Sequence, residues 1–220
     1  LEAQQLLQAL SGKIGKLVFT SSGAIYFPQG PEAENPIYRQ KLSEDLFNPL
    51  DHECQIFKRG ERNYGQGKRD IEIYYHQQAD FPVVSMRFPI VIGPTDYTLR
   101  MQNFLQNIAA GKAMKLLPLD TLLSFVSAKN AARLMSWAGQ GEVTGALNGA
   151  SEAINLGELI QLGRQITGGP QAAANSPELV DSWQIDQSSC LCTNKAEGAG
   201  FEFEGSLTGD LQEIWRALQP

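Results

Sequence analysis

Three short runs of mainly apolar residues constrain the fold more than any other feature of this sequence. They are Lys16–Thr20, Val83–Phe88 and Leu122–Val126. Each run is continuous rather than alternating, and this pattern is typical of parallel strands that are covered on both faces. The segments between the runs carry apolar residues at helical spacing. Strands that alternate with helices in this way predict an α/β fold with a parallel sheet.

The same patterns predict where the remaining elements lie. Helices are predicted over 1–10, 62–78, 99–110, 128–138, 156–167 and 208–218, with a brief further strand over 146–148. Residues 28–63 carry little periodicity and are rich in Pro, Glu, Asp, Asn and Arg, so they predict a long surface excursion with one helical turn. A loop of this length without structure is unusual, and it is either functional or wrongly assigned.

Composition excludes several classes of protein. The 220 residues are 42% hydrophobic and 19% charged, which allows a packed core and excludes collagen, coiled coils and disordered chains. The longest apolar stretches fall well short of the roughly 20 residues that a membrane helix needs, so no membrane partner is expected. The net charge of −6 argues against a nucleic-acid partner.

The cysteines predict a reducing compartment rather than a disulfide framework. Cys54, Cys190 and Cys192 are few and odd in number, and no secretory signal is visible at the N-terminus. We therefore expect a cytoplasmic location. The pair at 190 and 192 has no second pair and no nearby histidine, so no metal site is predicted.

Tyr64 and Lys68 are the residues whose spacing first suggests chemistry. They stand four apart on the predicted helix 62–78, which puts both side chains on one face. An ammonium beside a phenol favours the phenolate, and a tyrosine placed so can act as general base or acid near neutral pH. Taken alone, however, the spacing fits an exposed pair on a solvated helix better.

Four sequence blocks in a fixed order give this pair a context. They are Thr20-Ser21-Ser22-Gly23-Ala24-Ile25-Tyr26, Tyr64-Gly65-Gln66-Gly67-Lys68, Arg87-Phe88-Pro89-Ile90-Val91-Ile92-Gly93-Pro94 and Phe125-Val126-Ser127-Ala128-Lys129-Asn130-Ala131-Ala132. The series resembles the extended short-chain dehydrogenase/reductase superfamily, in its NAD-dependent epimerase/dehydratase group. The resemblance covers most of the chain and implies a Rossmann-like parallel sheet with a smaller α/β lobe for the substrate.

The resemblance also implies the roles of individual residues. Ser22 matches the family's catalytic serine or threonine, which hydrogen-bonds the reacting oxygen. Tyr64 matches the tyrosine that moves the proton, and Lys68 matches the lysine that holds the nicotinamide ribose. The further residues expected beside the cofactor, NAD or NADP, are Thr20, Ser21, Phe88, Pro89 and Ile90. The implied function is an NAD(P)-dependent oxidoreductase of the epimerase/dehydratase type, acting on a hydroxyl or carbonyl carbon of a sugar-like small molecule.

The chain departs from the family pattern at the phosphate-binding loop. The family begins with a Gly-rich turn between a strand and a helix, which cradles the pyrophosphate of the cofactor, and no such turn occurs here. We therefore expect this sequence to be the C-terminal part of a longer protein. In that interpretation residues 1–95 finish the Rossmann domain, and 96–220 mainly build the substrate lobe, with 121–138 packing back on the Rossmann domain.

Residues that family members use on nucleotide-sugar diphosphates are also replaced. The replacements are Ile90 for an asparagine, Leu123 for an arginine, and Ser127 and Asn130 for a histidine and an aspartate. Buried isoleucine and leucine cannot bind a diphosphate. A non-catalytic member of the same fold, which senses a nucleotide or binds a protein, is therefore the alternative. The resemblance further suggests a homodimer through the helix of Tyr64 and the helix before the first strand.

The distance in sequence between two of the candidate residues is longer than the family pattern. Ser22 and Tyr64 are 42 residues apart, and the excursion over 28–63 accounts for the excess. Because it enters and leaves beside the predicted site, the excursion could be a lid or a specificity loop. A surface insertion without a role explains it equally well.

Overall fold

The chain forms two compact units in the computed structural model, which describes residues 2–27, 41–55, 64–112, 118–170 and 190–219. The first unit comprises Leu1–Pro89, Ala131–Ala150 and Leu191–Glu202, and the second comprises Ile90–Asn130, Ser151–Cys190 and Phe203–Pro220. Within the described ranges, no helix combines the length and the apolar character that crossing a membrane requires.

Helices and strands alternate along most of the chain. In order they are α1 (Glu2–Leu10), β1 (Leu17–Thr20), α2 (Tyr64–Gln78), β2 (Val83–Arg87), β3 (Ile90–Ile92), α3 (Arg100–Ala109), β4 (Leu122–Ser127), α4 (Ala128–Gln140), β5 (Gly145–Asn148), β6 (Glu152–Asn155), α5 (Leu156–Thr167), α6 (Asn194–Gly198) and α7 (Leu207–Ala217). Short 3-10 turns cover Gly23–Tyr26, Glu44–Leu46 and Pro49–Asp51.

A parallel sheet of three described strands forms the centre of the first unit. Its order is β1-β2-β5, and both pairings are parallel. Every residue of the middle strand β2 is buried, which explains why its sequence is continuously apolar apart from Ser85 and Arg87. The predicted α/β fold with a parallel sheet is confirmed.

Helices and a lysine cap stabilise this first unit. The helices α1 and α2 pack together through a cluster that includes Leu7, Tyr75 and Val83. Lys16 lies just before β1 and donates from Nζ to three backbone carbonyls at the end of α4. These belong to Ala138 and Val143, each at 3.2 Å, and to Gly141. A cation at this position satisfies carbonyls that the helix leaves unpaired and interacts favourably with the helix dipole.

The described part of the 28–63 excursion lies largely at the surface, as predicted, but a few of its residues are buried. Leu42 and Phe47 are 1% and 5% exposed and belong to the core of the first unit. Leu42 also forms a parallel bridge with Leu191, and the side chain of Asn48 caps the second of the two 3-10 turns. Leu42 and Phe47 therefore anchor the segment 41–55 to the first unit. Residues 28–40 and 56–63 lie outside the described part.

The second unit is built around its own sheet. In that sheet β4 pairs in parallel with β3 and antiparallel with β6. The helices α3, α5 and α7 bury their apolar faces in one cluster with these strands. Its fully buried members are Met101, Phe104, Leu105, Leu159, Leu211 and Ile214.

The boundary between the units falls at residue 89 rather than 95. Ile90 begins a strand that pairs with Phe125 in the second sheet, although the sequence places it in the continuation of the β2 segment. The antiparallel β6 and the short α6 are not predicted from the sequence either. Residues 121–130 belong to the second unit, whereas α4 from Ala131 onward belongs to the first. The first passage between the units, from Pro89 to Ile90, lies inside an apolar segment, where periodicity carries no signal.

Candidate active site

The candidate site lies where β1 and β2 end. Two backbone hydrogen bonds extend the pairing beyond these strands, from the Ser21 amide to the Met86 carbonyl at 2.8 Å and from the Gly23 amide to the Phe88 carbonyl at 2.7 Å. Because both strands are parallel, their carboxyl ends share one edge of the sheet. In open α/β sheets this is the edge where ligands bind.

Ser22 is oriented by the backbone that follows it. Its extended conformation makes it the N-cap of the 3-10 turn, and its Oγ accepts a hydrogen bond from the Ala24 amide at 3.1 Å. Its hydroxyl proton makes no hydrogen bond to any residue that the structure describes. The geometry thus leaves that proton available to a reacting oxygen.

A close backbone approach brings the start of α2 to this turn. A Cβ atom on Gly65 would lie 2.6 Å from the Ala24 carbonyl oxygen, a distance that only glycine permits here. Arg69, one turn further along α2, donates from Nε to the Ile25 carbonyl. The helix therefore begins directly against the turn that Ser22 caps.

Lys68 is held at the end of β1. Its Nζ donates to the Thr20 carbonyl at 2.8 Å and lies 5.6 Å and 5.7 Å from the ring centres of Phe19 and Tyr64. Burial lowers the pKa of Lys68, and the carboxylate of Glu72 opposes this shift. An ammonium carries three donors, so two remain for a ligand once Thr20 has taken one.

Tyr64 is the first residue of α2 and is 64% exposed. Its phenol oxygen makes no hydrogen bond to a described residue. The structure therefore brings Tyr64, Lys68 and Thr20 together, with Ser22 on the adjoining turn. It does not show a direct bond between the phenol and Ser22.

The remaining residues predicted beside the cofactor have side chains turned into the protein. Ser21 is 3% exposed, and its hydroxyl donates to Glu72. Phe88 is buried, and its ring packs so closely on Gly149 that a Cβ there would overlap it. Ile90 belongs to the core of the second unit. Of the strand-end set, only Thr20 has an exposed side chain and Pro89 a half-buried one.

A buried ion pair beneath the site is the feature that sequence reasoning missed. Glu72 and Arg87 are both fully buried, with 2.7 Å between Oε2 and Nη2. All five donors of the guanidinium are used, by the Glu72 carboxylate, the Tyr26 hydroxyl at 2.9 Å and two backbone carbonyls. Those carbonyls belong to Glu44 and Phe47, so Arg87 also fastens the segment 41–55.

The hydrogen-bond network continues to the end of β5. The Tyr26 hydroxyl donates to the Asn148 side-chain oxygen at 2.8 Å, and the backbone amide of Asn148 donates to the Glu44 carboxylate at 2.7 Å. Burial raises the pKa of Tyr26 far above its usual range, although Arg87 opposes the shift, so this hydroxyl keeps its proton. An arginine inside an apolar strand requires such partners, and that was the signal available in the sequence.

The positions at which family members bind a diphosphate have other roles here. Leu123 is 1% exposed in the core of the second unit, beside Ile90. The side-chain amide of Asn130 ties the start of α4 to the Glu204 backbone, accepting at 3.1 Å and donating at 2.8 Å. The Ser127 hydroxyl accepts from the backbone amide of Asn130. These four side chains serve packing and local capping.

The chain was compared with known protein families, curated sequences and solved structures. No protein-family profile and no curated protein sequence matches the chain. Solved structures do match. UDP-glucose 4-epimerase from Thermotoga maritima, solved with UDP-glucose, has a TM-score of 0.74 at 17% identity, over 97% of this chain and 68% of that one. The Bordetella bronchiseptica enzyme WbmG, in complex with NAD and UDP, has a TM-score of 0.69 at 18% identity, over 98% of this chain and 62% of that one.

A dehydratase completes the comparison. The dTDP-glucose 4,6-dehydratase DesIV from Streptomyces venezuelae, solved with NAD, has a TM-score of 0.71 at 17% identity, over 98% of this chain and 63% of that one. This chain thus spans between 62% and 68% of the length of these three structures. Over that length, it has the fold of these epimerase and dehydratase structures.

Proposed function

We propose that this chain carries the catalytic residues of an NAD(P)-dependent oxidoreductase of the epimerase/dehydratase type. One observation carries the proposal: Lys68 lies between the Tyr64 ring and the Thr20 carbonyl, at the sheet edge where Ser22 leaves a hydroxyl proton unused. In this fold that edge is a ligand-binding edge. The proposed substrate is a sugar-like molecule with a hydroxyl or carbonyl carbon, in keeping with the nucleotides and nucleotide sugars in the similar structures.

The described residues fit one end of a nicotinamide cofactor. The two remaining donors of Lys68 suit the hydroxyls of a ribose, whereas no described segment supplies a Gly-rich cradle for the pyrophosphate. When bound, the cofactor accepts or returns a hydride. The proposal covers both NAD and NADP, because the sequence patterns found here do not include the residue that reads the ribose 2′ position.

The proposed roles of the side chains concern the proton and the oxygen. Ser22 donates a hydrogen bond to the substrate oxygen and keeps it aimed at Tyr64. The Tyr64 phenolate takes the hydroxyl proton as the carbon loses its hydride, and the phenol returns it in the reverse direction. The Lys68 ammonium lies 5.7 Å from the centre of the Tyr64 ring, beside the group that would move the proton. A homodimer that packs through α1 and α2, in the cytoplasm, is part of the same proposal.

A tyrosine pair on one helix tests the proposal. The intact protein, as its gene encodes it, is titrated with NADH and NADPH by fluorescence and then assayed on UDP- and dTDP-sugars. Tyr64→Phe should reduce turnover by about 10²- to 10⁴-fold with unchanged cofactor affinity. Tyr74→Phe removes the same hydroxyl from α2 in the cluster with α1 and should change neither. Full turnover by Tyr64→Phe would reject the assignment.

A second candidate function is a non-catalytic one, in which the fold senses a nucleotide or binds a protein. Ile90 and Leu123 favour it, because both lie in the apolar core of the second unit where a diphosphate-binding enzyme would need polar side chains. This candidate predicts cofactor binding without turnover, or no cofactor binding. Any substrate that the intact protein converts would exclude it.

A further inference from the structure

Glu72 contacts both strand ends from one position on α2. It lies one turn after Lys68 and two turns after Tyr64, so the three share a face of the helix. One carboxylate oxygen accepts from the Ser21 hydroxyl, and both accept from Arg87 at the end of β2. The carboxylate is fully buried and thus cannot contact a ligand from solvent.

Stability alone does not account for a charge at this position. Removing two ions from water costs free energy that their attraction recovers only with good geometry, and apolar replacements of such pairs are often as stable or more so. What a buried pair supplies in addition is a fixed arrangement of the elements that it joins. Here those elements are α2, β1 and β2.

Three consecutive residues at the end of β1 show what is being arranged. The Thr20 carbonyl holds Lys68, the Ser21 hydroxyl holds Glu72, and Ser22 offers its hydroxyl proton. Two side chains one turn apart on α2, Lys68 and Glu72, are therefore hydrogen-bonded to two neighbouring residues of the strand end. A shift of either hydrogen bond would move Ser22 relative to Lys68 and Tyr64.

We propose that Glu72 is a positioning residue, which acts through Ser21 to hold Ser22 and Lys68 in register across the site. The inference rests on the proposed function for its catalytic meaning. Its structural content, that the Ser21–Glu72 hydrogen bond keeps Lys68 seated on the end of β1, can be tested without a substrate.

The chain offers a matched control in Ser85. Ser85 is also a buried serine of the same sheet, and its hydroxyl bonds to α2 as well, through His76 Nε2 at 2.8 Å. Ser21→Ala and Ser85→Ala each remove one such hydrogen bond, but only Ser21 adjoins the candidate site. Ser21→Cys keeps the size of the side chain with a weak donor, and it replaces Ser21→Ala should that variant not fold.

The first measurement is the reactivity of the Lys68 amine, quantified by competitive acetylation with acetic anhydride and mass spectrometry on the intact protein. Loss of the Ser21–Glu72 hydrogen bond should expose Lys68. We therefore expect the acetylation rate of Lys68 to rise severalfold in Ser21→Ala, whereas the rate in Ser85→Ala should match that of the wild type. Equal rates in all three proteins would overturn the inference.

The second measurement is turnover with a substrate found in the sugar screen. Misplacement of reacting groups by about 1 Å costs up to roughly 100-fold, so Ser21→Ala should lower kcat by about tenfold or more, with KM for the sugar substrate within about threefold. Equal losses of kcat in Ser21→Ala and Ser85→Ala would contradict a positioning role. If the wild type neither binds cofactor nor turns over, the proposed function fails, and the Lys68 reactivities still decide the positioning.

Discussion

Replacing Gly65 by alanine should separate the start of α2 from the turn that carries Ser22. An added Cβ would lie 2.6 Å from the Ala24 carbonyl oxygen and 3.3 Å from its carbon, whereas ordinary contact begins at 3.4 Å. Both atoms are backbone, so no side-chain rotation can relieve the overlap. Either α2 moves outward or the turn moves, and Tyr64 is displaced from Ser22 in both cases.

Gly67 gives the matched control, because a Cβ there meets nothing within 4 Å. In a helix, alanine is favoured over glycine by about 1 kcal/mol, and Gly67→Ala should increase the free energy of unfolding by up to that amount. Gly65→Ala gains less at the helix start and adds the overlap, for which overpacking typically costs about 1–3 kcal/mol. Together these terms make Gly65→Ala less stable than Gly67→Ala by about 1–4 kcal/mol.

Urea unfolding followed by circular dichroism measures this difference, and the proposed activity provides a second readout. A displacement near 1 Å at the reacting groups costs up to roughly 100-fold, so Gly65→Ala should lose most of its turnover while Gly67→Ala keeps it. The reasoning would be refuted by a Gly65→Ala variant as stable as Gly67→Ala. Equal turnover in the two variants would show that the approach to Ala24 does not set the site.

Three further predictions concern stability. Lys16→Met should lower the free energy of unfolding by about 1–2 kcal/mol, because the hydrogen bonds and the charge at the end of α4 are lost. The control is Lys13→Met, whose exposed wild-type side chain contacts one carbonyl, and it should lower that free energy by at most about 0.5 kcal/mol. Equal losses in urea unfolding would contradict this prediction. Arg87→Met should lower the free energy of unfolding by about 3–5 kcal/mol, because it leaves the buried Glu72 carboxylate without its charged partner. Adding Glu72→Met should recover part of that loss. A double variant less stable than Arg87→Met alone would argue against the buried pair. Burial lowers the pKa of His76, so the unfolded chain takes up a proton first as pH falls below about 6.5, and the fold loses stability there. The wild type should therefore lose more stability than His76→Gln between about pH 7.5 and about pH 5.5, and parallel losses in urea titrations would exclude this origin.

The parallel sheet that the sequence predicted is present, whereas the surroundings of the candidate residues Ser22, Tyr64 and Lys68 were predicted less well. The run from Val83 is apolar because both faces of β2 are covered, and that single cause makes the strand readable. Tyr64 and Lys68 were found by their helical spacing together with the order of the four blocks. Local propensity marks Gly65 only as a weak helix former, because its close approach to Ala24 is a contact between distant segments.

The segment 41–55 and the ion pair escaped for a related reason. Leu42 and Phe47 stand in a stretch of turn-forming and charged residues without periodicity, yet both are buried in one apolar cluster, and Leu42 forms a bridge with Leu191. Arg87 and Glu72 lie 15 residues apart in different elements. Partner choice for a buried charge is a tertiary property, so the sequence indicates that Arg87 needs a partner and does not indicate which.

The order of strands in the first unit has a consequence for biosynthesis. In the register of the sheet, Val84 pairs with Gly145, a residue made 61 positions later. Ribosomes add about 5–20 residues per second, so β2 waits roughly 3 to 12 seconds for β5 while β3 and β4 of the second unit emerge between them. During that interval the edge of β2 that will receive β5 carries unpaired amides and carbonyls, which readily recruit another chain. A nascent polypeptide of this design benefits from chaperone protection until residue 148 has been made.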